Sequence, residues 1–116
     1  KKLVVWQKSM NVVDEVFSMI EKMERTEQWI LSSQMGRCAL SIPSNIAEGA
    51  GRNGKKDFAR FLDIALGSSF ELETQLLVFQ RRQSKENQAL ESALSETLEV
   101  QKMIMGLQKA VRNKID

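Results

Sequence analysis

An all-α fold is predicted by three features of this chain. Good helix formers (Leu, Glu, Gln, Lys, Ala and Met) dominate it, while it has one proline, six glycines and no tyrosine. Apolar residues recur at spacings of three and four, the signature of one buried helical face. The clearest break is the Gly-rich run from Gly49 to Gly54. With 116 residues the chain suits one domain, 1–116, since domains most often hold roughly 100–150 residues. Short connections between successive helices make them antiparallel neighbours. The predicted architecture is an antiparallel up-and-down four-helix bundle with a proline-kinked second helix.

The first helix is expected from about Val5 to Met23. Trp6, Met10, Val13, Phe17 and Ile20 share one face of it. The second is expected from about Glu27 to Glu48, with Thr26 as N-cap and Leu31, Met35, Cys38, Ile42 and Ile46 facing inward. Within it, Pro43 lacks an amide and crowds the carbonyl of Ala39, at a cost of about 3 kcal/mol. Ser41, Ser44 and Asn45 lie close enough to hydrogen-bond the freed backbone groups. Gly49 would end this helix in a left-handed cap.

Asn53 is the expected cap of the third helix, which runs to about Arg82. Phe58, Phe61, Leu62, Ala65, Leu72, Leu76 and Phe79 form its inner face. Gly67, Ser68 and Ser69 in its middle would let a neighbouring helix approach closely. Ser84 is expected to cap the last helix, which carries Leu90, Leu94, Ile104, Leu107, Val111 and Ile115.

Two helices carry more apolar surface than one buried stripe needs. Helix three has Ala59, Leu66, Phe70 and Leu77 beside its first stripe, and helix one has Val12, Val16, Met19 and Met23. A helix at the edge of a monomeric bundle is usually polar outside a single apolar arc. Contact with further copies of the chain is therefore expected through Leu66, Phe70, Leu77, Val12, Val16 and Met19. The other reading places these helices more centrally in the core.

Catalytic chemistry lacks its usual side chains. There is no histidine, so neither a Ser-His-Asp arrangement nor the Glu-x-x-His pairs of a bundle di-iron site can form. Glu48, Glu71 and Glu73 could supply a carboxylate pair for acid–base work, but solvated or capping roles suit them better. Cys38 sits on an apolar stripe, where a cysteine behaves as a small hydrophobe. A non-enzyme with no cofactor, no metal and no small-molecule substrate is expected. The single cysteine, the four-residue apolar run Leu3–Trp6 and the lack of a ~20-residue apolar span point to a cytoplasmic protein without a leader or a membrane anchor.

The net charge of +2 names no partner, but its distribution is uneven. Arg52, Lys55, Lys56 and Arg60 gather across the Gly-rich turn, interrupted by Asp57, with Arg37 as an outlying candidate. Such a group can neutralise phosphates. A solvated charged surface is the other reading, as no surface aromatic is evident to stack bases.

Val5-Trp6-Gln7-Lys8, the run from Gln34 to Arg37, the run from Ser41 to Arg52 (SIPSNIAEGAGR) and the run from Phe61-Leu62 to Glu73 occur in this order in one known family. On these residues the chain resembles, over nearly its whole length, the four-helix-bundle proteins of 23S ribosomal RNA intervening sequences, labelled S23 ribosomal proteins. More distantly it is similar to the accessory variability proteins of diversity-generating retroelements, which partner a reverse transcriptase and nucleic acid. The resemblance implies a four-helix protomer, a homopentameric ring and a link to RNA or DNA. The chain departs from the family pattern at Gly36-Arg37, where two basic residues are usual, and at Glu24, where a proline is usual. The combined expectation is a non-catalytic homo-oligomeric scaffold that binds nucleic acid through a basic face. A protein-interaction adaptor using the extra apolar faces is the alternative.

Overall fold

A computed structural model describes residues 3–23, 29–83 and 86–115. They form four helices, α1 (Val4–Glu21), α2 (Trp29–Ala50), α3 (Lys55–Arg81) and α4 (Gln88–Arg112). Each helix packs closely on its two neighbours around a square (α1–α2, α2–α3, α3–α4 and α4–α1), and no diagonal pair brings its backbones within 8 Å between Cα atoms among the described residues. The pairing is antiparallel. Along the α2–α3 seam Cys38 reaches Glu71 and Ser41 reaches Ser68, and along the α3–α4 seam Arg112 reaches Asp63 and Gln101 reaches Glu73. The helices stack into a rod of 51 × 22 × 19 Å.

The core is built from Val12, Val16, Met19, Met35, Ile42, Ile46, Leu62, Leu72, Leu76, Leu90, Val100 and Ile104, each essentially inaccessible. In α1 the buried line is Val5, Ser9, Val12, Val16 and Met19 with Val13 beside it. That line stands one position away from the expected face. Trp6, Phe17 and Ile20 flank the core at its edge, and Met10 is exposed. The small Ser9 explains the difference: its hydroxyl donates to the Trp6 carbonyl at 2.7 Å, so it can be buried and keep the Val stripe continuous.

The helix ends differ from the expected caps. Gly49 does not end α2, which continues to Ala50, and no glycine among the described residues has a positive φ. Its value is steric: a Cβ built there would stand 2.7 Å from Phe61 Cβ and 3.0 Å from Phe58 Cδ1, so its absence lets α2 and α3 close together. Gly54, not Asn53, is the N-cap of α3, and it has no side chain to give. Asn87 caps α4, its side chain accepting from the Leu90 amide at 3.0 Å. Ser84, Thr26, Glu27 and Glu24 lie outside the described residues.

Pro43 lies inside α2 and is buried. Asn45 Nδ2 donates to the Ser41 carbonyl at 2.8 Å and to Ser41 Oγ at 2.9 Å, while Ser41 Oγ meets Ser68 Oγ at 2.7 Å. The polar side chains around the proline therefore tie α2 to α3, and Ser44 is exposed. Ser68 and Ser69 are buried, as expected of small residues at a helix contact. Gly67 is exposed, and nothing lies within 4 Å of a Cβ built on it.

Candidate nucleic-acid interface

Because the helices alternate in direction, the end of α2, the start of α3 and the end of α4 share one end of the rod. Arg52, Lys55, Lys56 and Arg60 are all exposed there. Their charges are not equally available. Arg52 donates to Glu48 Oε2 from Nη2 at 2.8 Å and from Nε at 3.1 Å, and lies 3.9 Å from Asp57. Arg60 stands 3.8 Å from Asp57, too long for a hydrogen bond. Lys55 and Lys56 have no carboxylate partner among the described residues. Both guanidinium groups also lie over the Phe61 ring, Arg52 at 4.9 Å and Arg60 at 4.6 Å from its centre. Such cation–π contacts hold the two arginines near the surface without removing their charge.

The α4 terminus adds cations that periodicity in α3 could not reveal. Arg112 Nη2 donates to both oxygens of Asp63 at 2.8 and 2.7 Å, and Gln108 donates to Asp63 Oδ1 at 2.7 Å. Lys56, Ala59, Arg60, Asp63, Arg112 and Ile115 line an open groove of about 460 Å³ between α3 and α4. The signal for Arg112 is present in the sequence as a basic last turn on α4, together with Lys109. Linking it to Lys56 requires the antiparallel register. Arg37 is exposed but belongs elsewhere, because it precedes the end of α2 by about 20 Å of helix at 1.5 Å per residue.

The expected interface residues divide in two. Val12, Val16 and Met19 are 0–1% accessible inside the protomer, so they cannot meet another copy without opening the bundle. The structure corrects the expectation for these three: they are the main core line of α1. Ala59 is likewise buried at 3%. Leu66 packs partly against the core, while Phe70 and Leu77 remain 45% and 38% exposed.

Asp63, Leu66, Phe70, Glu73 and Leu77 step by three and four, and Asp63 and Glu73 bond to α4, so this stripe follows the α3–α4 seam. On α4, Leu98, Gln101, Met105, Gln108 and Arg112 form the matching stripe, with Leu98 and Met105 exposed. The seam thus offers two exposed apolar residues from each helix on one side of the rod.

Glu48, Glu71 and Glu73 do not form a carboxylate pair. Glu48 holds Arg52, Glu73 accepts from Gln101 Nε2 at 2.9 Å, and Glu71 accepts from the Cys38 thiol at 3.6 Å. Burial pushes the Cys38 thiol up; a hydrogen bond from Gln75 opposes this, and the charge of Glu71 reinforces it. A protonated thiol is a poor nucleophile. No helix among the described residues is long and apolar enough to cross a membrane.

Comparison with known proteins agrees with the fold. A family profile described as 23S rRNA-intervening sequence protein matches residues 1–106. The crystal structure of a protein of unknown function from the S23 ribosomal protein family of Bacteroides thetaiotaomicron superposes with a TM-score of 0.83 at 25% identity. The alignment covers 91% of this chain and 99% of that one. No protein of curated function matches.

Proposed function

The chain belongs to the 23S rRNA-intervening sequence protein family, and we propose that it is a non-catalytic, self-associating scaffold that holds nucleic acid at its basic end. The observation that carries the reading is the gathering of Lys55, Lys56, Arg60 and Arg112 from two helices at that end, with both lysines free of carboxylate partners among the described residues. Phosphate neutralisation by such groups releases counterions and needs no base recognition. The exposed set Phe70, Leu77, Leu98 and Met105 supports self-association, since a contiguous apolar patch on a bundle surface calls for a partner. Five copies are favoured by the family resemblance. In a ring the basic end would repeat in every protomer, and weak contacts would add through effective concentration.

Two measurements test the reading. Light scattering at micromolar concentration should give a mass several times 13.2 kDa, and Phe70→Glu should lower it; a well-folded monomer removes the scaffold. Titration with RNA and DNA at low and moderate salt should show binding with a steep salt slope. Changing Arg52, Lys55, Lys56 and Arg60 together to alanine should weaken it and flatten the slope. A second reading, an adaptor for a different protein, is favoured by the same apolar seam. It takes precedence if no nucleic acid binds at low salt and a distinct chain co-purifies until Phe70→Glu releases it.

A further inference from the structure

We propose that the groove between the first turns of α3 and the last turn of α4 is the seat of the phosphate backbone, with Lys56, Arg60 and Arg112 as its contacts and Asp63 as a built-in competitor for Arg112. This rests on the nucleic-acid reading above and places its site between two helices, away from the Gly-rich turn. The groove has three cations facing one carboxylate. Its apolar part comes from the buried Ala59 and the half-buried Ile115.

The geometry of Arg112 is the deciding feature. A guanidinium has five N–H donors in a rigid fork. Asp63 takes only those of Nη2, at 2.8 and 2.7 Å. Nε and Nη1 make no hydrogen bond among the described residues. Both two-donor edges of the fork include Nη2, so Nε and Nη1 are left as separate single donors, each able to meet a phosphate oxygen. Asp63 is in turn held by Gln108 at 2.7 Å. Arg112 is thereby fixed at the mouth of the groove, and its charge is partly offset until an incoming phosphate shares it. Lys56 has no carboxylate partner among the described residues, and the Arg60–Asp57 separation of 3.8 Å leaves the Arg60 donors free for a ligand.

The site reads a backbone and not bases. Phe61, the aromatic against which the cations lie, has Arg52 and Arg60 over its ring. Its face is used to hold guanidinium groups and is not offered to a nucleobase. Contacts confined to phosphate position a strand without specifying its sequence.

The test is titration of a mixed-sequence single-stranded RNA oligonucleotide across a salt series. The natural protein is compared with Arg112→Gln, Lys56→Ala, Asp63→Asn and a turn variant carrying Arg52→Ala and Lys55→Ala. Arg112→Gln and Lys56→Ala, the two variants that remove a groove cation, should each flatten the log–log salt slope by about 0.7 for every phosphate left without a cation. Asp63→Asn should tighten binding, because it removes the competing charge while its amide oxygen can still accept from Arg112. The turn variant should weaken binding less than Arg112→Gln and Lys56→Ala combined.

If the natural protein binds and both groove variants keep its affinity and slope, the groove is not the seat, although the nucleic-acid reading survives. If the natural protein shows no binding at low salt, that reading fails and this inference falls with it. Should Arg112→Gln lose its helical circular dichroism, Arg112→Lys replaces it. That variant keeps the charge but not the extra guanidinium donors Nε and Nη1, so affinity should still fall while the salt slope stays near the natural value; full natural affinity would overturn the proposed role of those donors.

Discussion

The two seams of α3 are built from different chemistry. Against α2 the contact is close and small: Gly49 lets Phe58 and Phe61 approach, and Ser41 meets Ser68 across the interface. Against α4 the outer rim is open, with Arg112 and Gln108 on the exposed Asp63 and with Phe70, Leu77, Leu98 and Met105 exposed, while the buried Gln101 donates to Glu73. A seam closed by glycine and serine has little freedom to change without moving backbone. A solvated ion pair such as Arg112–Asp63 contributes little to stability and can exchange its partner for a ligand. On this contrast the α2–α3 seam sets the fold, and the α3–α4 seam is available for function.

Glycine substitutions test the first half of that contrast and should have the largest effect. Gly49→Ala places its Cβ 2.7 Å from Phe61 Cβ, an atom fixed to the α3 backbone. Overpacking of this kind costs about 1–3 kcal/mol, partly offset by the roughly 1 kcal/mol that alanine gains over glycine inside a helix. A lower thermal midpoint is expected. At Gly36 the nearest atoms to a built Cβ are Cε1 and Cζ of Phe17, at 3.2 and 3.3 Å, on the tip of a rotatable ring. Gly36→Ala should therefore be close to neutral or slightly stabilising. Equal losses at the two glycines would erase the distinction between α2–α3 and the looser α1–α2 contact.

The charged rim should respond more weakly. Asp63→Ala removes the partner of Arg112 and Gln108, and the Asp63–Arg112 pair is exposed at the surface. Exposed pairs are worth about 0.2–1 kcal/mol, so denaturant unfolding should show a loss of that order, shrinking further in high salt. A loss of several kcal/mol would mean that the α3–α4 seam is as structural as its neighbour, and would weaken the case for a site there.

The same contrast explains how much of the molecule is legible in its sequence. Helix number, order and approximate spans follow from apolar spacing, because burial of one face is what selects those residues. The choice between the two adjacent stripes of α1 is not legible. Both step by four and three, and the decision turns on Ser9, a polar residue buried by bonding to its own helix. Gln101 and Thr97 escape an apolar pattern for a related reason: they are buried polar residues in α4, satisfied by Glu73 and by the Ala93 carbonyl. Gly49 looks like a residue chosen for its φ, yet its real constraint is the Phe61 side chain of another helix, which local sequence cannot display. The basic end is half legible. Its turn residues are adjacent in the chain, but Arg112 joins Lys56 only through the antiparallel return of α4.

Cys38 gives the smallest expected effect and probes the close seam from its buried side. Its thiol donates to Glu71 and accepts from Gln75 Nε2 at 3.4 Å, and burial raises its pKa above the ordinary thiol value. The folded state therefore keeps this proton more tightly than the unfolded state does. By linkage, stability falls as pH rises, starting near the unfolded thiol value of about 8.5 and continuing through the raised folded value. Below that window both states hold the proton and the thiol adds no pH dependence. Urea unfolding at about pH 7.5 and about pH 9.5, on either side of the unfolded thiol value, should show a small loss at the higher pH that is absent from Cys38→Ala, once the loss common to both proteins is subtracted. Alkylation by iodoacetamide should likewise be slower in the folded protein than in urea, since a buried, protonated thiol is unreactive. A folded protein that alkylates as fast as the unfolded chain would mean that the α2–α3 seam opens readily, and would reverse the assignment of the closed and available sides of α3.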